Sequence, residues 1–272
     1  MLDIDQLHQR VLYPVVRVRT EKAGGSGTVI YSQPNPEQPD EFLSFVLTNE
    51  HVIDAAVSLK TEYNSMLKKD VKTDILAEVK VELFEYVHQS TVDSSNEYRA
   101  NIIAYDKSHD LAILRLDSPR PVRHVVNLVP RERIRDLRLF MPVVGCGCSL
   151  LHDPFAMDGR ITSLREIIEN KDYLMTGQNC IFGNSGGAVF LAETGEQIGV
   201  TARITGIQLG FGQDIMTWMS FAVHPDRIYQ FLEEQELRFL YDTTDTYGEA
   251  LKRREKRRKQ TLLETLGQGE EK

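Results

Sequence analysis

The stretch "CIFGNSGGAVF", residues 180–190, places Gly183, Asn184, Ser185, Gly186 and Gly187 directly ahead of an apolar run. Glycine loses more backbone entropy on folding than any other residue, so three glycines around one serine need a physical reason. A tight turn requiring positive φ supplies one. A backbone that approaches a ligand closely, with its N–H groups facing it, supplies another. The run alone does not choose between them, so the choice falls to what the rest of the chain offers Ser185.

A serine hydroxyl is a weak nucleophile unless a base takes its proton, and that base works best when a carboxylate fixes its tautomer. The chain has seven histidines. His51 stands in "LTNEHVIDAA", where an apolar strand ends and a short helix can begin, whereas His8, His88, His124, His152 and His224 lie in less suggestive places. His109 directly precedes Asp110, and neighbours along a strand point to opposite faces. Asp110 heads "DLAILRL", a strand apolar on both faces. A carboxylate there is costly unless it is hydrogen-bonded or paired, as a triad aspartate is.

Around these residues, short strand-like runs alternate with Gly and Pro turns, from "PVVRVRT" (14–20) to "DIMTWMSFAV" (214–223). Val16 and Val18 alternate with Arg17 and Arg19, the period of a half-buried strand. Such a chain suggests barrels or sandwiches rather than a parallel sheet. The connector "DSPRPVRHVVNLVPRERIRD" (117–136) reads as the boundary between two β units. Helical patterning is confined to the ends: a short helix capped by Asp3, with Ile4, Leu7 and Val11 on one face, and a longer one over 224–241.

The 272 residues suit one large domain or two small ones, and 41% hydrophobic with 26% charged residues is ordinary for a globular protein. A net charge of −8 argues against general nucleic-acid affinity. The acidic N-terminus has no apolar h-region and no stretch reaches the length of a membrane span, so a cytoplasmic protein is expected. Three cysteines are too few for a disulfide framework, and Cys146-Gly-Cys148 lacks a second ligand pair, so free thiols are expected. No metal and no cofactor is called for.

"GSGTVI", "LTNEHVI", "YDKSHDLAILRL" and "GNSGGAVF", in this order, resemble the chymotrypsin-type (trypsin-like) serine peptidases, closest to the HtrA/Deg branch. The similarity runs from residue 11 to about 232, with spacings of 59 residues from His51 to Asp110 and 75 from Asp110 to Ser185. The resemblance implies an all-β fold of two six-stranded antiparallel barrels with short terminal helices. The N-terminal barrel would span about 11–118, the C-terminal barrel about 138–223 and a helix 224–241, with the active site between the barrels. It further implies a serine endopeptidase with a His51/Asp110/Ser185 triad and an oxyanion hole from the Gly183 and Ser185 N–H groups. It assigns "QNCIF", with Asn179, Cys180, Ile181 and Phe182, and "SFA", with Ser220, Phe221 and Ala222, to the walls of the primary pocket. Neither segment carries an acid, so cleavage after apolar or small uncharged residues is expected. Ser220–Ala222 would also pair with substrate as an edge strand.

Two departures from digestive relatives matter. Asn184 replaces the aspartate that a zymogen switch needs. With only about forty residues after the peptidase-like part, no PDZ domain is expected. Those residues form a charged tail, 242–272, whose "KRREKRRK" (Lys252, Arg253, Arg254, Lys256, Arg257, Arg258, Lys259 and one Glu) carries +6 against −14 elsewhere. The tail reads as a basic helix, either solvated or docked on the body of the protein, on an acidic partner or on nucleic acid, and as dispensable for folding. A different class of function is also open: a non-catalytic binding module using the cleft or the tail. An esterase on the same fold would use the same residues.

Overall fold

The strand sequences place alternate residues in two different cores. The computed structural model describes residues 2–36, 38–64, 69–209 and 212–267. A short helix α1 (Ile4–Leu7), closed by a capping box between Asp3 and Gln6, leads into β1 (Val15–Arg19), β2 (Gly24–Asn35) and β3 (Gln38–Thr48). Ile4 is exposed while Val11 is buried, so the expected apolar face of this helix is only partly covered. After the single-turn helix α2 (Glu50–Ile53) comes a separate hairpin, β4 (Val57–Asn64) with β5 (Lys69–Leu76). The first barrel is completed by β6 (Val79–Val87), β7 (Thr91–Asp106) and β8 (Leu111–Leu116) and closes in the order β1-β2-β3-β8-β7-β6.

The second barrel contains β9 (Pro142–Gly147), β10 (Phe155–Ile168), β11 (Lys171–Thr176), β12 (Ala188–Leu191), β13 (Gln197–Leu209) and β14 (Gly212–Val223). It closes in the order β10-β11-β14-β13-β12-β9. Val16, Val46, Ala112 and Leu114 fill the first barrel, and Val143, Ile161, Val189 and Ile198 the second. The alternate residues Val15, Phe45, Leu47, Leu111 and Ile113 face out of the first barrel, into a third cluster with Phe190, Val200 and Phe231. Burial on both faces explains why β8 reads as a continuous apolar run.

The same packing overturns the half-buried reading of β1. Arg17 is buried beside Val16 and Val18, because its guanidinium pairs with Glu82 on β6 and lies 5.1 Å from the Phe84 ring centre. It also donates to the Leu151 carbonyl at 2.7 Å, in a loop of the second barrel.

Helix α3 (Pro225–Glu234) is shorter than the periodicity suggests. Glu236 adopts φ +57°, which ends the helix and turns Leu237 and Phe239 back into the core. Helix α4 (Tyr247–Gly267) carries the basic cluster and docks on the body. Ala250 is buried, and the Tyr247 ring lies 5.7 Å from Phe45 and 5.4 Å from Phe239. Arg253 pairs with Asp245 and Glu236, Arg254 donates to the Ile103 carbonyl at 2.6 Å, and Arg257 donates to the Glu234 carbonyl. Lys252 and Lys259 pair with Glu249 and Glu255 on the same helix. Much of the +6 cluster is therefore engaged within the chain. Among the described residues, no helix is long and apolar enough to cross a membrane.

Candidate active site

His51, Asp110 and Ser185 reach the cleft between the barrels from three separate connections. β3 ends at Thr48, whose hydroxyl donates to the Ser26 carbonyl at 2.7 Å, and α2 then carries His51. Asp110 closes the turn from β7 to β8 in the left-handed region, at φ +55°. That turn is braced from inside by Asp106 Oδ1, which accepts the N–H groups of Ser108 at 2.6 Å and His109 at 3.0 Å. Burial alone would raise the Asp106 carboxyl, but the bonds from Ser108 and His109 outweigh it and hold it below the ordinary range. From outside, the Arg227 guanidinium donates to the His109 carbonyl at 2.6 Å and the Ser108 carbonyl at 3.1 Å.

The Asp110 carboxylate makes three hydrogen-bond contacts with His51. Its Oδ1 lies 2.8 Å from His51 Nδ1 and accepts the His51 backbone N–H at 3.2 Å, and its Oδ2 lies 3.0 Å from Nδ1. The pairing fixes the imidazole with Nδ1–H toward the acid and Nε2 free to act as a base.

The glycines around Ser185 have distinct jobs. Gly183 sits at φ +93°, and a Cβ there would lie 2.5 Å from the Leu150 nitrogen. Gly186 sits at φ +84°, and a Cβ there would lie 2.0 Å from the Ser26 carbonyl oxygen. The positive-φ reason for the glycine run thus applies, and the close approaches these glycines allow are to Leu150 and Ser26 of the protein itself. Ser26, on β2, ties the loop to the first barrel: its N–H donates to the Ser185 carbonyl and its hydroxyl to the Gly183 carbonyl, each at 2.7 Å.

The Phe182 carbonyl accepts the Leu150 N–H at 2.7 Å. Because a trans peptide aims its C=O and N–H in opposite directions, the Gly183 N–H points to the other side of that plane. Among the described residues, neither the Gly183 nor the Ser185 N–H has a protein acceptor. Asn184 is buried, and its amide oxygen accepts the Ser149 hydroxyl, so a neutral bond stands where a charged zymogen pair would be. Ser185 and His51 line one cleft of about 400 Å³ with Gly183, but no hydrogen bond joins their side chains. In substrate-free sites such bonds are often long and tighten only in the reacting complex.

The pocket segments divide. Cys180, Ile181 and Phe182 line the cleft, whereas Asn179 is exposed and does not. Burial raises the Cys180 thiol above its ordinary value against the pull of bonds to Ser220 and Asn184, which keeps it a neutral wall. Ser220, Phe221 and Ala222 cannot serve as an edge strand. Each is paired on both sides, with Thr176, Met175 and Leu174 of β11 and with Ile204, Arg203 and Thr201 of β13. The edge beside Ser185 instead belongs to Ala202, Arg203 and Ile204, which line the cleft just past the pairing of β13 with β12. Sequence reasoning missed these three, along with Ser26 and Arg227. The only signal was the apolar-polar alternation of "GVTARITGI", which marks a strand without marking an edge.

Cys146, Cys148 and Cys180 are buried free thiols, and burial pushes Cys148 up to about 12. No grouping of three or more His, Cys, Asp or Glu suited to a metal occurs among the described residues.

Compared with known proteins, residues 25–200 match the family model of the trypsin-like peptidase domain. A solved structure of the HtrA-type protease AlgW, a serine-to-alanine variant with a tripeptide, is similar in fold with a TM-score of 0.59 at 18% identity. The match covers 87% of this chain and 64% of that one, so this chain spans under two thirds of the length of the AlgW chain. No curated protein sequence matches.

Proposed function

Since the chain belongs to the trypsin-like peptidase family, we propose that it is a serine endopeptidase working through His51, Asp110 and Ser185. The observation that carries this reading is His51, paired with Asp110 at 2.8 Å, in the same cleft as Ser185 and the unoccupied N–H of Gly183. Ser185 Oγ attacks the scissile carbonyl while His51 Nε2 takes its proton. Asp110 holds the imidazolium that forms, and the Gly183 and Ser185 N–H groups receive the oxyanion, whose charge develops only in the tetrahedral intermediate. His51 then protonates the leaving amine, and water, deprotonated by His51, releases the acyl group from Ser185.

Substrate lies as an added strand along Ala202–Ile204, with the side chain before the cut against Cys180, Ile181 and Phe182. Among the described residues no carboxylate lines this cleft, which supports cleavage after apolar or small uncharged residues. A peptide-library digest tests both points: wild type should cut after such residues and Ser185→Ala should not cut. A profile dominated by Lys or Arg would overturn the specificity, and unchanged cutting by Ser185→Ala would overturn the mechanism.

A non-catalytic binding module draws on one observation, the missing Ser185–His51 hydrogen bond, and the same digest decides it. For the basic helix, the contacts of Arg253, Arg254 and Arg257 support docking onto the body of the protein rather than onto an acidic partner or nucleic acid.

A further inference from the structure

We propose that Asn49 is the positioning residue that holds the acid-bearing and nucleophile-bearing loops in register across the cleft. The inference rests on the peptidase reading above and extends it to a residue outside the triad. Asn49 is fully buried, two residues before His51, and uses both ends of its amide. Nδ2 donates to the Asp110 backbone carbonyl at 2.8 Å, and Oδ1 accepts the Gly186 N–H at 2.6 Å. One side chain therefore joins three segments: its own, which carries His51; the turn that presents Asp110; and the residue after Ser185.

The local sequence makes this arrangement informative. Asn49 stands at the N-cap of α2 with extended φ −80° and ψ 153°, where asparagine ordinarily turns its oxygen onto an N–H of the first turn. Here the side chain makes no such cap. The first-turn N–H of His51 goes to the Asp110 carboxylate instead, at 3.2 Å. The two side chains have exchanged roles: the acid satisfies the helix start, and the asparagine fixes the backbone of the acid.

Of the two partners, Asp110 at φ +55° is in a backbone region sparsely populated by non-glycine residues, whereas Gly186 at φ +84° is in one open to glycine. A conformation like that of Asp110 persists only where its surroundings over-determine it. Holding the Asp110 carbonyl helps set the direction of its carboxylate toward His51 Nδ1, and the Gly186 N–H, shared between Asn49 Oδ1 at 2.6 Å and the Thr201 carbonyl at 2.9 Å, fixes the peptide that follows Ser185. Asn49 touches no reacting atom, and its effect passes through Asp110 and Ser185.

The test uses the full chain and a fluorophosphonate probe, which reads Ser185 reactivity without a known substrate. Saturation kinetics separate the maximal inactivation rate from the probe's apparent affinity. Asn49→Leu keeps the volume and loses both hydrogen bonds, and Asn49→Ala serves as a second variant should Asn49→Leu fold poorly. The maximal rate should fall on the order of 10- to 100-fold, as displacements of about 1 Å do in such sites. Apparent affinity should stay within about twofold, with end-point labelling still complete. In an Asp110→Ala background, the same substitution should cost markedly less than in the native one.

An unchanged maximal rate would overturn the inference, as would a loss explained wholly by a smaller labelled fraction or an equal loss in both backgrounds. If wild type itself takes no label at Ser185, the peptidase reading falls. If wild type is labelled and the Asn49 variants match it, this inference alone falls.

Discussion

Where the first barrel delivers His51 and Asp110 beside the paired ends of β3 and β8, the second delivers Ser185 on the loop between β11 and β12, outside any strand. The first barrel's groups are held by what their neighbours add: the Asp106 carboxylate, the Arg227 guanidinium and the Asn49 amide all bind backbone around Asp110. The second barrel's loop, tied by Ser26 and Asn49, depends in addition on what its residues lack, since Gly183 and Gly186 leave room for Leu150 and Ser26 where a Cβ would collide. Removing a bond should loosen the first arrangement by degrees. Adding one carbon should break the second.

The largest effect expected is on turnover. Ser185→Ala and His51→Ala should each abolish nearly all hydrolysis, leaving roughly the 10³–10⁴-fold over water seen when a triad member is lost. Steady-state rates on a peptide selected from the library check this.

Next comes the glycine loop itself. Gly186→Ala forces a Cβ to 2.0 Å from the Ser26 carbonyl at a positive φ, so it should destabilise the fold by roughly 2–5 kcal/mol. Gly177→Ala is the contrast: its nearest Cβ contact is 3.4 Å, and its cost should stay below about 1 kcal/mol. Denaturant midpoints of the two variants sharpen the comparison, and equal midpoints would break it.

A middling effect is expected at the C-terminus. Truncation after Tyr241 removes buried Ala250 and the Tyr247 ring packed on Phe45 and Phe239, at a cost of about 2–4 kcal/mol. The tail was expected to be dispensable, and a lowered melting temperature in the truncated chain would show that it is not.

The smallest effect concerns acid. Asp106 titrates below its ordinary range because the bonds from Ser108 and His109 outweigh the opposing effect of burial. A depressed folded value means the stabilisation is complete above the unfolded value of about 3.9 and is lost as pH falls through the folded one. Asp106→Asn should therefore lose stability at pH 7 and show a shallower decline below about pH 4. Chemical unfolding across that range reads both.

The two β units, the cleft and the candidate triad residues were legible because each has a local signature: strand alternation, a glycine run around Ser185, a histidine at a strand end, an acid heading a buried strand. What was not legible depends on partners far along the chain. Asn49 reads as an ordinary helix cap, and its hydrogen-bond partners lie 61 and 137 residues away. Arg17 reads as solvent-facing, and only the second barrel's loop and Glu82 explain its burial. The resemblance assigned Ser220–Ala222 to an edge, and the sequence could not correct it because a period of two does not say whether one or both sides of a strand are taken. The end of α3 depends on the left-handed turn at Glu236, which no glycine announces.

The central claim, that the two barrels bring His51 and Asp110 to activate Ser185, is tested most directly by the site and rate of fluorophosphonate labelling. The account predicts one label per chain, found by mass spectrometry on the peptide containing Ser185, absent in Ser185→Ala and slowed at least about 100-fold in His51→Ala. Label on another residue, or equal labelling rates in wild type and His51→Ala, would contradict it.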